Sequence, residues 1–287
     1  YTGSVPISQS LNFFNKVIRD YDPNDHQALI PMQDIQTMLA ARSFPADHKL
    51  RIANRDIHYQ QDYRDLMRIT IFEGTHERLS SVALDHIAPQ KILLIGDSNG
   101  AAKDGWTYQL KKLRFVDRFY NTSISGNTIG FDNLDNQQLN TLRNVDEYIL
   151  SGNEAMNGIT DIIIMLGTND CKAVFDPQLK QVPKNLEELI RKIKSHSVYA
   201  KDQPRIYIVS PPPFARDEFM LEKYHGGADR IAYLVPQFKK VAEKQGCYFI
   251  DVYSSLLPKW DHYASDGIHL ITEGQYLIGR MIDWGMK

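Results

Sequence analysis

Short apolar runs alternate with longer segments of helical periodicity from about residue 90 to the end of the chain. Each run has the length of a buried strand, and each intervening segment repeats its apolar residues about every 3.6 positions. This alternation is typical of β-α-β units and predicts an α/β protein, a three-layer α/β/α sandwich with a five-stranded parallel sheet. The predicted strands are 91–96, 115–120, 161–166, 205–209 and 247–252, and the predicted helices are 106–113, 133–150, 184–196, 228–245 and 273–284.

The first 88 residues have a different pattern. Their predicted elements are helices at about 8–20, 32–42 and 78–87 and one convincing strand at 68–72. A single strand cannot form a sheet, so we expect this mostly helical segment to pack on the main domain or on a part of the protein outside this sequence. Pro89 marks the predicted boundary between an N-terminal accessory segment, 1–88, and the main domain, 89–287.

Composition and charge narrow the class of protein. Hydrophobic residues make up 43% and charged residues 24% of the chain, as in ordinary globular domains. The 33 basic and 35 acidic side chains nearly balance, so we expect no nucleic-acid partner. No run of ~18 apolar residues exists, which predicts no membrane span. Cys171 and Cys247 are too few for a disulfide framework and lack the paired spacing of a zinc site.

Ser98 directly follows the first apolar run of the predicted sheet, within Gly96-Asp97-Ser98-Asn99-Gly100. A serine hydroxyl is a weak nucleophile unless a base takes its proton and donors stabilise the oxyanion that its attack creates. Ligands of a doubly wound sheet lie outside the carboxyl ends of the strands. We therefore expect the partners of Ser98 in the segments that follow the other strands.

Three such segments carry suitable groups. Gly126 follows the second predicted strand, where a glycine lets the backbone N–H approach a substrate closely. Asn169 follows the third strand and has a side-chain amide that can donate to an oxyanion. Asp266 and His269 lie past the fifth strand, three residues apart, which is close enough for the carboxylate to hold the imidazole ring.

These four segments together resemble the SGNH hydrolase superfamily, also called GDSL-type esterases and lipases. The blocks Gly-Asp-Ser-Asn-Gly, Ile-Ser-Gly-Asn-Thr, Gly-Thr-Asn-Asp and Asp-Gly-Ile-His match the family's four blocks in family order, over about residues 90–287. The resemblance implies a flavodoxin-like SGNH fold and the hydrolysis of carboxylic esters without a metal or organic cofactor.

The resemblance also assigns roles to individual residues. Ser98 would be the nucleophile, His269 the general base and later the acid, and Asp266 the group that orients the ring. The backbone N–H groups of Ser98 and Gly126 and the Asn169 amide would form the oxyanion hole. The family name implies leucine after the nucleophile. This chain has asparagine there, and we expect this residue to shape the acyl pocket.

Three alternatives stay open. Gly96-x-Ser98-x-Gly100 also fits the nucleophile elbow of α/β-hydrolases, but that elbow follows the fifth strand of its sheet and residues 1–90 supply one predicted strand. Asp261 and His262, with the nearby aspartate and histidine of the last block, can be interpreted as metal ligands, although zinc hydrolases use other spacings. A catalytically dead carbohydrate-binding relative is disfavoured because every block residue needed for turnover is present.

The segment from Arg68 to Glu77, a strand that runs into Gly-x-His, resembles the last strand and catalytic histidine of an α/β-hydrolase. We hypothesise that 1–88 is the tail of an upstream hydrolase domain or a docking module, with His76 structural. For the main domain we predict an esterase for a small acyl group, preferably acetyl on a carbohydrate, because many SGNH relatives deacetylate glycans. Lipid and thioester substrates stay open, as does the oligomeric state.

Overall fold

The computed structural model describes residues 7–41, 50–52, 55–63, 67–72 and 89–286. The chain divides into two compact units, Tyr1–Ala88 and Pro89–Lys287. In the first unit, two helices and a 3₁₀ turn precede a three-stranded antiparallel sheet in the order β1-β2-β3. These elements are α1 Ile7–Tyr21, the 3₁₀ turn His26–Ala28, α2 Met32–Ala41, β1 Leu50–Ile52, β2 Arg55–Tyr63 and β3 Met67–Phe72.

The N-terminal unit has its own small core, in which Leu11 and Phe14 of α1 pack with Met38 of α2 and Ile71 of β3. The helices predicted at 8–20 and 32–42 are present. The expectation of a lone strand is wrong, because β2 pairs with β3 on one side and with β1 on the other. The sequence pattern does not predict β2, because most of its residues are polar and it contains no apolar run. Backbone hydrogen bonds with β3 make it a strand.

The predicted helix at 78–87 and His76 lie outside the described residues. β3 pairs antiparallel with β2 of the same unit. The hypothesis that residues 1–88 are the tail of an upstream hydrolase domain did not include this pairing. That hypothesis stays a prediction.

In the second unit, five parallel strands form one sheet in the order β5-β4-β6-β7-β8. The first strand of this unit therefore lies inside the sheet, and the chain switches direction between β4 and β6, as in flavodoxin-like proteins. Because Ser98 follows the first strand and not the fifth, the nucleophile-elbow alternative is wrong. The strands are β4 Lys91–Gly96, β5 Arg118–Asn121, β6 Asp161–Met165, β7 Arg205–Val209 and β8 Tyr248–Ile250.

Helices cover both faces of this sheet, which confirms the predicted three-layer α/β/α sandwich. The helices are α3 Ser98–Ala101, α4 Trp106–Leu113, α5 Thr141–Met156, α6 Val182–Ser195, α7 Ser197–Asp202, α8 Gly227–Lys244, α9 Tyr253–Leu256, α10 Trp260–Tyr263 and α11 Thr272–Gly285. Leu93 and Ile95 face a core built with α5, α6 and α8, whereas Ile92 and Leu94 face a second core built with α4 and α11.

Two elements of this unit begin three or more residues after their predicted start. The predicted strand at 115–120 begins only at Arg118, because Phe115 is 84% exposed in the connection before it. The predicted helix at 133–150 begins at Thr141, where the Asn140 side chain caps it. Residues 133–139 instead form two 3₁₀ turns, with Leu134 at a positive φ of 57° that no α-helix adopts.

Candidate active site

Ser98 is the first residue of α3, and only Asp97 separates it from the end of β4. The Asp97 side chain caps this short helix by accepting a hydrogen bond from the Asn99 N–H at 3.0 Å. The first N–H groups of a helix have no partner within it, and the Ser98 N–H donates to none of the described residues. A Cβ on Gly100 would lie 2.5 Å from the Ser123 hydroxyl oxygen, so this tight turn requires glycine there.

Asp266 and His269 form one compact turn after α10. His269 Nε2 lies 3.1 Å from the Ser98 hydroxyl oxygen, and His269 Nδ1 lies 2.6 Å from Asp266 Oδ2. The other carboxylate oxygen, Oδ1, accepts the backbone N–H groups of Ile268 at 3.0 Å and His269 at 2.7 Å. The structure thus brings a hydroxyl, an imidazole and a carboxylate into one hydrogen-bonded chain.

The electrostatics of Asp266 favour the charged form. Partial burial by itself raises the pKa of this carboxyl group, but hydrogen bonds from the His269 ring and from the backbone N–H groups of His269 and Ile268 outweigh it. The pKa of Asp266 therefore lies below its ordinary value. A carboxylate that stays ionised holds the proton of the ring on Nδ1 and leaves Nε2 free to accept one from serine.

Gly126 and Asn169 lie on two loops that are bonded to each other and to the end of β4. The buried Asn169 amide donates one hydrogen to the Asn127 carbonyl at 3.1 Å, and an amide nitrogen carries a second. Asn127 in turn donates to the Gly96 carbonyl at 3.2 Å. Gly126 has a positive φ of 89°, and its N–H donates to none of the residues that the structure describes. Neither the Gly126 N–H nor the second hydrogen of the Asn169 amide therefore has a partner among the described residues.

Two residues that the sequence did not single out orient the Gly126 peptide. Asn133 donates its side-chain N–H to the Gly126 carbonyl at 2.6 Å. Lys172 Nζ donates to Asn133 Oδ1 at 3.1 Å, so the amide of Asn133 has one orientation. Burial is the largest of the causes that lower the pKa of Lys172. The charge of Lys223 lowers this pKa further, whereas the charge of Asp170 raises it. No spacing or motif marks Asn133, because its contact depends on the fold of the intervening loop.

Two buried carboxyl groups lie behind the site. Asp170 accepts the Ile129 N–H with both oxygens, at 3.0 and 3.1 Å, and so holds the loop that follows Gly126. Burial raises the pKa of Asp170 to about 7, and repulsion from Asp97 adds to the rise. Burial also raises the pKa of Asp97, and the hydrogen bond from the Asn99 N–H opposes that rise.

The remaining sequence candidates lie elsewhere. His262 Nε2 pairs with Glu273 at 3.1 Å, and the described residues contain no group of three or more His, Cys, Asp or Glu side chains able to hold a metal. The expectation that Asn99 shapes the acyl pocket is wrong, because its side chain is buried against the chain on either side of His269.

None of the helices in the described ranges has the length and apolar character needed to cross a membrane.

Comparisons with known proteins agree with this architecture. A carbohydrate acetylesterase family member from Sinorhizobium meliloti is 24% identical over 69% of this chain and 97% of its own, with a TM-score of 0.56. The native aryl esterase of M. smegmatis is 22% identical over 69% of this chain and 97% of its own, also at 0.56. A lipase/acylhydrolase from Enterococcus faecalis is 21% identical over 67% of this chain and 93% of its own, at 0.53.

At these identities the solved structures establish the fold. No curated protein sequence matches the chain. The model of the GDSL-like lipase/acylhydrolase family matches residues 94–277, which is more than half of the chain and includes all four sequence blocks. The chain belongs to the GDSL-like lipase/acylhydrolase family.

Proposed function

We propose that this protein is a serine esterase that removes a small acyl group, acetyl in the first place, from a carbohydrate or another small ester. The observation that carries the proposal is the hydrogen-bonded chain from Ser98 Oγ through the His269 ring to Asp266, with contacts of 3.1 and 2.6 Å. Both contacts are within the hydrogen-bond reach that proton transfer from serine to histidine requires. No metal or organic cofactor takes part in the proposed reaction.

Acylation begins when Ser98 Oγ attacks the ester carbonyl carbon while His269 Nε2 takes the hydroxyl proton. The carbonyl electron pair moves onto oxygen, and Asp266 stabilises the imidazolium that has formed. When the tetrahedral intermediate collapses, the bond to the alcohol oxygen breaks and His269 returns the proton to it. Water then attacks the acyl-Ser98 ester by the same route and releases the carboxylic acid.

In this proposal three N–H donors receive the negative oxygen of the tetrahedral intermediate. They are the N–H groups of Ser98 and Gly126, and the second hydrogen of the Asn169 amide. Asn127 links two of these donors, because it follows Gly126 in the chain and its carbonyl accepts the first hydrogen of the Asn169 amide. Donors of this kind typically contribute ~10²–10³-fold each to turnover.

The openness of the site supports a small acyl group on a larger, solvent-borne substrate. The side chains of Asp266 and His269 are 55% and 50% exposed, so the reacting ester is reached from solvent and not through a buried channel. A group that protrudes from a polymer suits such a site. The similar structure from Sinorhizobium meliloti belongs to a carbohydrate acetylesterase family, which favours acetylated carbohydrate over lipid or thioester.

Hydrolysis of p-nitrophenyl acetate by the wild type and by Ser98→Ala tests the reaction. We expect the substitution to lower kcat/KM by ~10⁴-fold or more. Ser195→Ala is a matched control, because this exposed serine bonds only within α6 among the described residues, and it should leave the rate unchanged. Equal rates for the wild type and Ser98→Ala would reject catalysis by this serine, and rates that both equal the uncatalysed background would support a catalytically dead, carbohydrate-binding relative.

A second assay tests the acyl group and its carrier. We expect kcat/KM to fall along the series p-nitrophenyl acetate, butyrate and octanoate, and acetylated xylo-oligosaccharides to release acetate. An optimum at octanoate, with no acetate released from the oligosaccharides, would replace the proposed substrate class with a lipid.

A further inference from the structure

Asn99, the residue after the nucleophile, bonds to both chain neighbours of the histidine. Its Oδ1 accepts the Leu270 N–H at 3.1 Å, and its Nδ2 lies 3.4 Å from the Ile268 carbonyl, to which it donates. The side chain is only 1% exposed, so water does not compete for these bonds. The turn that carries Ser98 is thereby joined to the turn that carries His269.

The buried side-chain amide of Gln275 fixes the orientation of the Asn99 amide. Gln275 Oε1 accepts the Trp106 N–H at 2.8 Å, and its Nε2 donates to Asn99 Oδ1 at 3.2 Å and to the Leu270 carbonyl at 3.4 Å. Backbone N–H groups can only donate, so Trp106 sets the direction of the glutamine and Leu270 that of the asparagine. The network has one consistent arrangement of donors and acceptors.

The backbone–backbone hydrogen bonds on either side of the histidine turn join it to parts of the chain other than the nucleophile turn. Gly267 accepts the Ala215 N–H at 3.0 Å and donates to Ala264 at 3.0 Å, while Ile271 donates to Tyr263 at 2.8 Å. These bonds tie the turn to α10 and to the chain after β7, and they leave its distance from β4 undetermined.

We propose that Asn99 is a positioning residue that holds His269 Nε2 within hydrogen-bond reach of Ser98 Oγ. This inference rests on the proposed function, because it concerns the proton transfer between these two atoms. Displacement of a catalytic group by about 1 Å costs on the order of 10²-fold in rate. Asn99→Ala should therefore lower kcat by about 10–100-fold while KM changes by less than about 3-fold, since Asn99 does not face the substrate.

A double-mutant cycle separates positioning from a general structural effect. Release of p-nitrophenol from p-nitrophenyl acetate is measured with enzyme in excess for the wild type, Asn99→Ala, His269→Ala and the double variant. If Asn99 acts through His269, its removal from the His269→Ala background should change the rate by less than about 2-fold, because residues that act as a unit are non-additive.

Asn15→Ala is the matched stability control. Asn15 is equally buried, at 1% exposure, and its side chain bonds both the N–H and the carbonyl of Ile30 at 2.8 Å, but it lies in the N-terminal unit. It should not change kcat. If Asn99→Ala does not fold, Gln275→Met takes its place, since it removes the donors that brace Asn99 and Leu270. We expect the same non-additive pattern with a loss of about 3–10-fold.

Two results would overturn the proposal. Equal losses in the wild-type and His269→Ala backgrounds, or a kcat of Asn99→Ala within about 2-fold of the wild type, would show that Asn99 does not act through the base. If Ser98→Ala is as active as the wild type, the proposed function itself has failed. If Ser98→Ala is inactive but Asn99→Ala lowers the rate equally in the wild-type and His269→Ala backgrounds, only the positioning role has failed.

Discussion

Replacing Asp266 by asparagine should disable the proposed base without disturbing its turn. Oδ1 of Asp266 accepts two backbone N–H groups, at 3.0 and 2.7 Å, so the asparagine keeps its oxygen on that side. The new NH₂ group then faces His269 Nδ1, where the carboxylate oxygen was 2.6 Å away. Nδ1 must accept, and the ring proton moves to Nε2, opposite Ser98.

A ring protonated on Nε2 cannot take the serine proton, which sets the magnitude of the effect. Loss of the correct tautomer with the geometry intact costs ~10⁴-fold in kcat, equivalent to ~5.5 kcal/mol of transition-state stabilisation. Because Asp266 is not expected to contact the substrate, KM should stay within about 3-fold of the wild type. Because both backbone bonds survive, the free energy of unfolding should change by less than about 1 kcal/mol.

The assay compares kcat, KM and Tm for the wild type, Asp266→Asn and Asp251→Asn. Asp251 is an exposed aspartate of the same unit whose oxygens accept the Ser254 N–H at 2.9 Å and the Ser254 hydroxyl at 2.7 Å, so its substitution removes the same charge at a similar turn. The control should retain kcat. An Asp266→Asn enzyme within about 10-fold of the wild type would refute the tautomer argument.

Three further predictions concern the oxyanion loop, a buried carboxyl group and the core. Gly126→Ala, at a φ of 89° and with its Cβ 3.2 Å from Leu139 Cδ1, should lower kcat for p-nitrophenyl acetate by about 10–100-fold, and an unchanged kcat would count against an oxyanion role. Burial raises the pKa of Asp170 from 3.8 to about 7, so the folded protein keeps a proton that the unfolded chain releases. The stability that this group contributes is present below about pH 4 and is lost as the pH rises towards 7. The Tm of the wild type minus that of Asp170→Asn should therefore decrease from pH 5 to pH 8. A constant or growing difference would contradict the raised pKa of Asp170. Ile163→Ala, fully buried in β6, should lower the free energy of urea unfolding by about 2–5 kcal/mol, and a loss below about 1 kcal/mol would contradict tight packing there.

Local sequence was sufficient where burial and periodicity coincide. The run at 161–166 consists of residues that pack on both faces of a parallel sheet, and the strand is observed at Asp161–Met165. The predicted helix at 106–113 is observed at those residues, because a regular amphipathic pattern leaves one favourable face for burial. The prediction failed for β2, where backbone pairing with β3 overrides a mostly polar sequence.

The sequence by itself determined the family, the parallel five-stranded sheet and the order of the four blocks, because these depend on local patterns and short motifs at strand ends. Only the tertiary structure decided which polar side chains support those blocks. Asn99 and Leu270 are 171 positions apart in the chain, and Lys172 and Asn133 are 39 apart, yet each pair is hydrogen-bonded. Such contacts arise when strands and loops distant in sequence meet at one edge of the sheet. Neither local sequence contains a pattern that identifies the residue it will contact.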